Sequence, residues 1–247
     1  MIYQSAKRVL DVATSGLGLL CLSPLMAVLA LAVKCGSRGP VFFRHERIGL
    51  GFRPFGVLKF RTMVEDAPKL GAPITFGDDP RITPIGRWLR KTKLDELPQL
   101  LNVLRGEMSL VGPRPEVRQY VELFHDDYAE ILRVRPGITD LASITYRDEA
   151  TILGHAIDPE EEYVRRVLPE KIRLAKEYVR RRSLWLDFTI IAGTLLLLFG
   201  DRLAAARGAT VAPRQENAVQ TLALADAGDK TASRRRNGDV EKHGENE

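Results

Sequence analysis

The sequence predicts a membrane-associated, monotopic α+β protein with a re-entrant broken helix at its N terminus, a small β-hairpin or sheet, and several amphipathic interfacial helices. Three observations support this fold class. Residues 12–33 form an uncharged apolar run. Two short segments rich in aromatic and β-branched residues follow, at residues 40–43 and 55–62, and read as paired strands. Further along the chain, apolar residues recur at helical spacing.

The apolar run at residues 12–33 is long enough to cross a bilayer. As a continuous helix, its 22 residues would span about 33 Å. Basic residues lie on both sides of the run, at Lys7 and Arg8 before it and at Lys34 and Arg38 after it. The positive-inside rule therefore assigns both ends to the cytoplasm, which a straight span cannot satisfy.

Ser23 and Pro24 lie at the middle of this run. Proline removes one backbone donor and clashes with the preceding turn, while the serine hydroxyl can bond a freed carbonyl. We therefore expect the helix to break at Ser23 and Pro24 and to leave the membrane on the side where it entered. A kinked single-pass anchor is the alternative, because prolines also occur in ordinary spans.

A second apolar run, at residues 188–199, has 12 residues and is too short to cross a bilayer. It is expected to be interfacial. The segment before it, residues 169–180, is an amphipathic helix that begins with Pro169 and has a basic face suited to anionic headgroups. Packing of that helix against the folded core is an equal alternative.

Composition divides the chain into a membrane helix at residues 1–38, a cytoplasmic domain at 39–200, and a disordered tail at 201–247. The tail carries 8 basic and 8 acidic residues and no aromatic residue. The net charge of +5 therefore lies in residues 1–200, which should prefer anionic partners such as nucleic acid, lipid headgroups or phosphorylated metabolites. Two cysteines, Cys21 and Cys35, are too few for a disulfide framework and indicate a reducing compartment.

Two adjacent carboxylates, Asp95 and Glu96, precede an apolar series at helical spacing. Pro98 suits the first turn of a helix, and Gly106 should end it. At that helix start, backbone N–H groups would keep a carboxylate ionised and attract phosphate, as for a nucleophile that attacks phosphorus or a ligand of a divalent metal. Consecutive helical residues point about 100° apart, so the two should have different roles. A simple capping role is the alternative.

Basic residues surround this acidic pair in the sequence. Residues 79–91 contribute a short helix that begins near Thr83 and carries several of them. Prolines on both sides of Arg114 predict a rigid loop that holds one guanidinium, a group whose planar fork matches phosphate oxygens. Residues 133–139 form a second loop of this kind. Either loop could instead be a structural turn.

Several ordered motifs resemble those of the monotopic phosphoglycosyl transferases, the bacterial sugar transferases that initiate glycan assembly. The resemblance covers about residues 5–200. The motifs are Lys7-Arg8-x-x-Asp11, the Ser23-Pro24 break, Gly39-Pro40-Val41-Phe42-Phe43, Arg47-Ile48-Gly49, Lys59-Phe60-Arg61-Thr62-Met63, Arg81-Ile82-Thr83-x-x-Gly86, Leu94-Asp95-Glu96-Leu97-Pro98-Gln99, Gly112-Pro113-Arg114-Pro115 and Pro136-Gly137-Ile138-Thr139.

This resemblance implies that Asp95 is the nucleophile and that Glu96 is its partner at Mg²⁺. Members of the family move a phosphosugar from a nucleoside diphosphate sugar, usually a UDP-sugar, onto polyprenyl (undecaprenyl) phosphate and release the nucleoside monophosphate. The reaction proceeds through a covalent aspartyl phosphosugar and starts exopolysaccharide, O-antigen or other glycoconjugate synthesis. The basic residues assigned to the substrate phosphates are Lys59, Arg90, Arg114 and Arg147.

The resemblance also implies a place at the cytoplasmic face of the bacterial inner membrane, with membrane lipid and a second copy of the chain as partners and without nucleic acid. Larger relatives carry an extra N-terminal membrane domain, so this chain is expected to be the minimal form. One motif departs from the family: residues 140–143 read Asp-Leu-Ala-Ser where many relatives have Gly-Leu-Ala-Gln. That departure concerns expected contacts to the sugar or the base.

Three other functions compete with this interpretation. A single-pass glycosyltransferase would release a nucleoside diphosphate. A membrane-anchored nucleic-acid-binding regulator would explain the high pI of about 9.3, but not the acidic pair, and the sequence contains no helix-turn-helix or RNA-binding signature. A non-catalytic scaffold for glycan assembly is the third alternative.

Overall fold

The computed structural model of the protein describes residues 2–67, 79–145, 153–154, 156 and 158–206. The chain divides into two compact units, residues 1–194 and 195–247. The described part of the second unit is the end of the last helix. The elements in chain order are α1 (Ile2–Gly36), β1 (Phe42–Ile48), a 3-10 turn (Leu50–Phe52), β2 (Pro54–Phe60), α2 (Pro84–Thr92), a 3-10 turn (Leu94–Glu96), α3 (Gln99–Arg105), β3 (Ser109–Val111), α4 (Arg118–Leu123), α5 (His125–Ile131), β4 (Gly137–Thr139), α6 (Leu141–Thr145), α7 (Pro159–Glu162), a π-helical turn (Tyr163–Val167), α8 (Leu168–Arg181) and α9 (Leu184–Ala206).

Helix α1 is one helix that runs through Pro24, so the expected end of the helix at Ser23 and Pro24 is wrong. Pro24 has no N–H to donate to the carbonyl of Leu20, four residues earlier. The hydroxyl of Ser23 donates to that same carbonyl over 2.8 Å. Because the serine replaces the lost hydrogen bond, the helix continues across the proline. Among the described residues, α1 is the one helix long and apolar enough to cross a membrane.

The first turns of α1 are attached to the rest of the unit by polar contacts. These contacts explain the basic and acidic residues of the Lys7-Arg8-x-x-Asp11 motif. They are Lys7 Nζ to Asp187 Oδ2 (2.7 Å), Arg8 Nη1 to the Val103 carbonyl (2.6 Å), Arg8 Nη2 to the Leu104 carbonyl (2.9 Å), and the Leu110 N–H to Asp11 Oδ1 (3.0 Å).

The last turns of α1 pack on the same unit through apolar contacts. Leu29 and Val33 join Phe60 and Leu89 in one buried cluster. Nearby, Arg61 donates to the carbonyl of Ser37 over 2.7 Å. The opposite face of α1 exposes large apolar side chains along its length, namely Val9, Leu17, Leu20, Val28 and Leu31. Both ends of the helix are therefore attached to one folded unit, while an apolar stripe faces outward.

Strands β1 and β2 form the predicted hairpin, antiparallel and joined through the short 3-10 turn. β1 begins later and ends later than the sequence predicted. Asn102 of α3 is fully buried against β2. Its side chain accepts a hydrogen bond from the Leu58 N–H (3.0 Å) and donates to the Gly56 carbonyl (2.8 Å). This residue fixes α3, and hence the segment before it, against the hairpin.

Helix α2 begins as predicted, with the Thr83 hydroxyl capping it by accepting from the Gly86 N–H over 3.0 Å. The next segment differs from the prediction. Asp95 and Glu96 lie in a 3-10 turn, and Pro98 is the N-cap of α3 rather than part of its first turn. The two carboxylates therefore precede the helix.

The two proline-flanked loops meet in space, because β3 and β4 pair in parallel directly beside them. Residues 109–111 and 137–139, expected to be loop, are thus short strands. Their close approach depends on glycine: a Cβ built on Gly137 would lie 2.1 Å from the backbone nitrogen of Gly112. The loop that carries Arg114 is therefore placed against the loop that ends at Thr139.

The two C-terminal helices decide one of the alternatives left open by the sequence and correct one boundary. Helix α8 buries Ile172, Tyr178 and Val179, so it packs on the core, and its basic residues contact acidic neighbours, as in the pair of Lys176 with Asp127. That arrangement matches the core-packing alternative. Helix α9 contains the second apolar run, is longer than expected, and continues through residues 201–206, past the predicted start of the tail. Residues 207–247 lie outside the described residues.

Replacing Gly137 with alanine should destabilise the protein by about 1–3 kcal/mol, because the added methyl group meets backbone atoms that cannot rotate away. Gly16→Ala is the matched control. A Cβ there has nothing within 4 Å, and alanine favours helix over glycine by up to about 1 kcal/mol. Thermal unfolding in detergent micelles should give a lower Tm for Gly137→Ala only. An unchanged Tm for that variant would show that the strands can separate without cost.

Candidate active site

Glu96 is held by two cations on one oxygen. Lys59 Nζ lies 2.7 Å from Glu96 Oε1, and Arg114 Nη2 lies 2.6 Å from the same atom. Only 12% of the glutamate side chain is exposed. Burial alone would raise the pKa of Glu96, but Arg114 and Lys59 outweigh it and hold that pKa well below its usual range. Glu96 is therefore a fixed negative charge.

Asp95 has a different environment, although it is the next residue. It is 6% exposed, and its Oδ1 atom has no hydrogen-bond partner within the described part of the chain. Burial raises the pKa of Asp95, and the adjacent charge of Glu96 raises it further, against the opposing effect of Lys59. Buried carboxylate oxygens are normally hydrogen-bonded, and an exception calls for an explanation such as catalysis or a missing ion.

The prediction that the two carboxylates differ in role thus has a clear geometric basis. It does not rest on the helix dipole that the sequence suggested, because both residues precede α3. The side chains of Lys59 and Arg114 make the difference instead. Lys59 lies on β2, where it pairs in register with Phe43, and Arg114 lies in the loop after β3.

Asp140 fixes the backbone of the Arg114 loop. Its carboxylate is buried and accepts hydrogen bonds from the Arg114 N–H (3.2 Å) and the Ser143 N–H (2.7 Å). The second bond caps the start of α6. Asp140 is one of the two residues at which the segment 140–143 departs from the family pattern, and its hydrogen bonds show that it supports the loop.

The other two predicted phosphate ligands, Arg90 and Arg147, make no described contact with Asp95 or Glu96. Arg90 donates through Nε to Thr62 Oγ1 over 2.9 Å. Burial lowers the pKa of Arg90, and the negative charge of Asp95 opposes that effect. Arg90 is therefore held by Thr62 within electrostatic reach of the acidic pair. Arg147 lies outside the described residues.

Lys93 was not among the predicted site residues, yet it lies directly before the acidic turn. Its backbone is left-handed, with φ of 59°, because Lys93 is the C-cap that ends α2. Its side chain keeps an exposed surface, but partial loss of water around the amino group and the nearby charge of Arg114 lower its pKa. The position of Lys93 beside the Asp-Glu pair is the sequence signal that could have identified it as a site residue. Its backbone conformation could not be predicted from the sequence.

The acidic pair can offer carboxylate oxygens to Mg²⁺. Within the described ranges, no group of three or more His, Cys, Asp or Glu residues could hold a metal ion. Mg²⁺ usually needs only one or two carboxylates when substrate phosphates complete its shell. Oε2 of Glu96, the predicted ligand, fits that requirement, because Lys59 and Arg114 both bond to Oε1.

A family model described as "Bacterial sugar transferase" matches residues 2–201. The chain belongs to the bacterial sugar transferase family. The match includes α1, the hairpin, the acidic turn and both proline-flanked loops, and it confirms the resemblance seen in the sequence motifs.

Three similar proteins carry more detailed names. An undecaprenyl-phosphate glucose phosphotransferase of Komagataeibacter xylinus is 45% identical over 76% of this chain and 35% of its own length. A UDP-N-acetylgalactosamine-undecaprenyl-phosphate N-acetylgalactosaminephosphotransferase of Aeromonas hydrophila is 37% identical, over 81% and 46%. A UDP-glucose:undecaprenyl-phosphate glucose-1-phosphate transferase of Caulobacter vibrioides is 42% identical, over 76% and 68%. The present chain thus spans less than half of the length of the first two proteins.

Substitutions at the two carboxylates should change stability in different directions. Glu96→Gln removes the negative charge that Lys59 and Arg114 both contact, and it should lower the free energy of unfolding by about 1.5–3 kcal/mol at pH 7. The lower value is expected because both cations are partly exposed. Asp95→Asn removes a buried charge that lacks a hydrogen bond, so it should leave the Tm unchanged or raise it. Glu122→Gln, on the exposed surface, is the control.

The pH dependence has opposite signs for the two groups. A depressed folded pKa means that Glu96 stabilises the fold fully above its ordinary pKa of 4.5, and that this stabilisation is lost as the pH falls through the folded pKa. The raised pKa of Asp95 has the opposite effect: the protonated carboxyl stabilises the fold fully below its ordinary pKa of 3.8, and this stabilisation is lost as the pH rises through the folded pKa. Unfolding followed from pH 4 to 7 should therefore show a rising Tm difference between Asp95→Asn and wild type. A larger loss of stability in Asp95→Asn than in Glu96→Gln would contradict this assignment.

Proposed function

We propose that this protein is an initiating phosphoglycosyl transferase that moves a phosphosugar from a UDP-sugar to undecaprenyl phosphate and releases UMP. The observation that carries the proposal is the unpartnered, buried Oδ1 of Asp95 beside a glutamate fixed by two cations. The names of the related proteins support the two substrate classes. They differ in the sugar, so the donor is proposed only as a UDP-sugar.

In the first step, Asp95 attacks the phosphorus that bears the sugar. A carboxylate oxygen forms the new P–O bond while the bond to the bridging oxygen of the diphosphate breaks. UMP leaves with that electron pair, and the sugar phosphate remains on Asp95 as an acyl phosphate. An oxygen without hydrogen-bond donors has little solvation to lose before it reacts, which favours its role as the nucleophile.

In the second step, an oxygen of the lipid phosphate attacks the same phosphorus. The bond from phosphorus to Asp95 breaks, which restores the carboxylate and gives a lipid diphosphate sugar. No proton transfer is needed when both nucleophiles are ionised. The pair of steps therefore requires a poised carboxylate and stabilisation of phosphate charge, and both are present in the arrangement of residues.

Lys59, Arg114 and Lys93 are proposed to stabilise the phosphate charge. Arg114 can offer a planar donor pair to phosphate oxygens, and its loop is fixed by Asp140. Glu96 orients Lys59 and Arg114 before substrate binds. Mg²⁺, held by the acidic pair and the donor diphosphate, would supply further neutralisation of the leaving nucleotide.

We further propose that α1 lies in the cytoplasmic leaflet of the bacterial inner membrane as one continuous helix, without crossing, so that both of its ends stay on the cytoplasmic side. Its first and last turns are both attached to residues of one folded unit, so a crossing would have to separate contacts such as Arg8 with Val103 from those of Val33 with Phe60. The exposed apolar stripe of α1 supplies the surface that would enter lipid.

Without acceptor, the protein should release UMP in an amount close to one per active molecule and then stop, because the phosphosugar remains on the enzyme. Adding undecaprenyl phosphate should restart release. In Asp95→Asn, the release of UMP without acceptor and the release after lipid is added should both fall by a factor on the order of 10³ or more. Rapid-quench analysis of nucleotides with a radiolabelled UDP-sugar measures both phases. Release of UDP instead of UMP, or a strict need for the lipid before any UMP forms, would contradict the proposal.

Cysteine labelling should place both ends of α1 in the cytoplasm. In Cys21→Ser/Cys35→Ser protein, single cysteines at Gln4 and at Arg38 should react with a membrane-impermeant maleimide only after the cells are opened. A cysteine at Arg165, in the folded unit, is the control and should behave in the same way. Labelling of position 4 in intact spheroplasts, with position 38 protected, would establish a single crossing.

A further inference from the structure

A cavity of about 140 Å³ lies beside the first turns of α1, and its lining includes none of Lys59, Asp95, Glu96 or Arg114. Its walls come from the start of α1, from β3, from the loop at residues 133–135 and from the end of α8. It is larger than the ~30 Å³ that one water molecule occupies, and smaller than the ~300 Å³ at the lower end of pockets for drug-sized ligands. The cavity suits a small group rather than a nucleotide sugar.

The lining of this cavity is strongly basic. Five basic side chains reach it among the described residues, against the single carboxylate of Asp11. They are Lys7, Arg8, Arg133, Arg135 and Arg182.

Among the described residues, most of this positive charge has no hydrogen-bonded acidic partner. Three of the arginines donate to neutral backbone carbonyls, which orient a guanidinium without cancelling its charge. These contacts are Arg8 to Val103 and Leu104, Arg135 to Gly106, and Arg182 to Val179. Lys7 alone among these contacts meets a carboxylate, that of Asp187, at 2.7 Å.

A buried hydroxyl provides an independent sign of a ligand. Ser109 lines the cavity and is 1% exposed, and its Oγ atom has no hydrogen-bond partner in the part of the chain that the structure describes. A buried hydroxyl without a partner costs free energy, so its retention beside excess positive charge points to an acceptor-rich group in the cavity. Phosphate oxygens accept hydrogen bonds from both hydroxyl and guanidinium groups.

We propose that this cavity binds a phosphate group, carried by an anionic lipid headgroup or free in solution. The position favours the headgroup: Lys7 and Arg8 immediately precede the apolar part of α1, and Arg182 immediately precedes the apolar part of α9. Basic residues at such helix ends lie at the level of lipid headgroups. The site would hold the starts of both apolar helices at one depth. The proposal does not depend on phosphosugar transfer at Asp95.

The test measures binding to the full chain in zwitterionic detergent. The probes are inorganic phosphate, short-chain phosphatidylglycerol and short-chain phosphatidylcholine, each titrated while the Tm is followed. Wild type should gain Tm with phosphatidylglycerol and gain little with phosphatidylcholine. Arg133→Gln and Ser109→Ala should each weaken that response on the order of tenfold, because each removes a donor to the same anion. Arg165→Gln, an exposed arginine on another surface, is the matched control.

Ser109→Ala also separates a binding role from a packing role. Without probe, loss of an unpaired hydroxyl should leave the Tm unchanged or raise it, so weaker binding would not reflect poorer folding. If the Tm rises at lower concentrations of phosphatidylglycerol than of inorganic phosphate, the site binds a lipid headgroup. Equal concentrations assign the site to the free anion. If neither phosphatidylglycerol nor inorganic phosphate raises the Tm, or if both variants respond as wild type does, the proposal is overturned.

Discussion

The ion pairs of Glu96 with Lys59 and Arg114 are the interaction on which the site depends. They connect three parts of the chain that are distant in sequence: the hairpin, the acidic turn and the loop after β3. They also separate the chemistry of two adjacent carboxylates. Glu96 accepts hydrogen bonds from both Lys59 and Arg114, whereas Asp95 is buried without a described hydrogen-bond donor to Oδ1. The proposed reactivity of Asp95 therefore follows from the pairing of both cations with Glu96.

The rest of the fold holds these three parts in place. Asn102 fixes α3 to β2, Asp140 fixes the backbone of the Arg114 loop, and the close contact of Gly112 with Gly137 brings the two proline-flanked loops together. Helix α1 packs on the same elements at both of its ends. A helix that is long and apolar enough to cross a membrane is thus attached directly to the elements that carry the acidic site, which suits the proposed reaction between a soluble nucleotide and a lipid phosphate.

Much of this architecture could be predicted from local sequence signals. The hairpin, the cap of α2 at Thr83 and the end of α3 at Gly106 follow from residue preferences that act over a few positions. The family resemblance assigned Lys59 and Arg114 to the substrate phosphates. It did not predict their pairing with Glu96, which joins residues 37 and 18 positions apart. The helix break at Pro24 was predicted wrongly, since the Ser23 hydroxyl replaces the missing bond. The left-handed backbone of Lys93 has no local sequence signal.

The central claim is that Asp95, and not its better-satisfied neighbour, becomes covalently attached to the phosphosugar. Intact-protein mass measurement after mixing with a UDP-sugar in the absence of lipid, followed by peptide mapping under conditions that preserve acyl phosphates, tests it most directly. The account predicts an added mass of one sugar phosphate on the peptide that contains residues 93–99, located at Asp95 and absent from Asp95→Asn. An adduct on Glu96 or on any other residue, or an adduct that persists in Asp95→Asn, would contradict it.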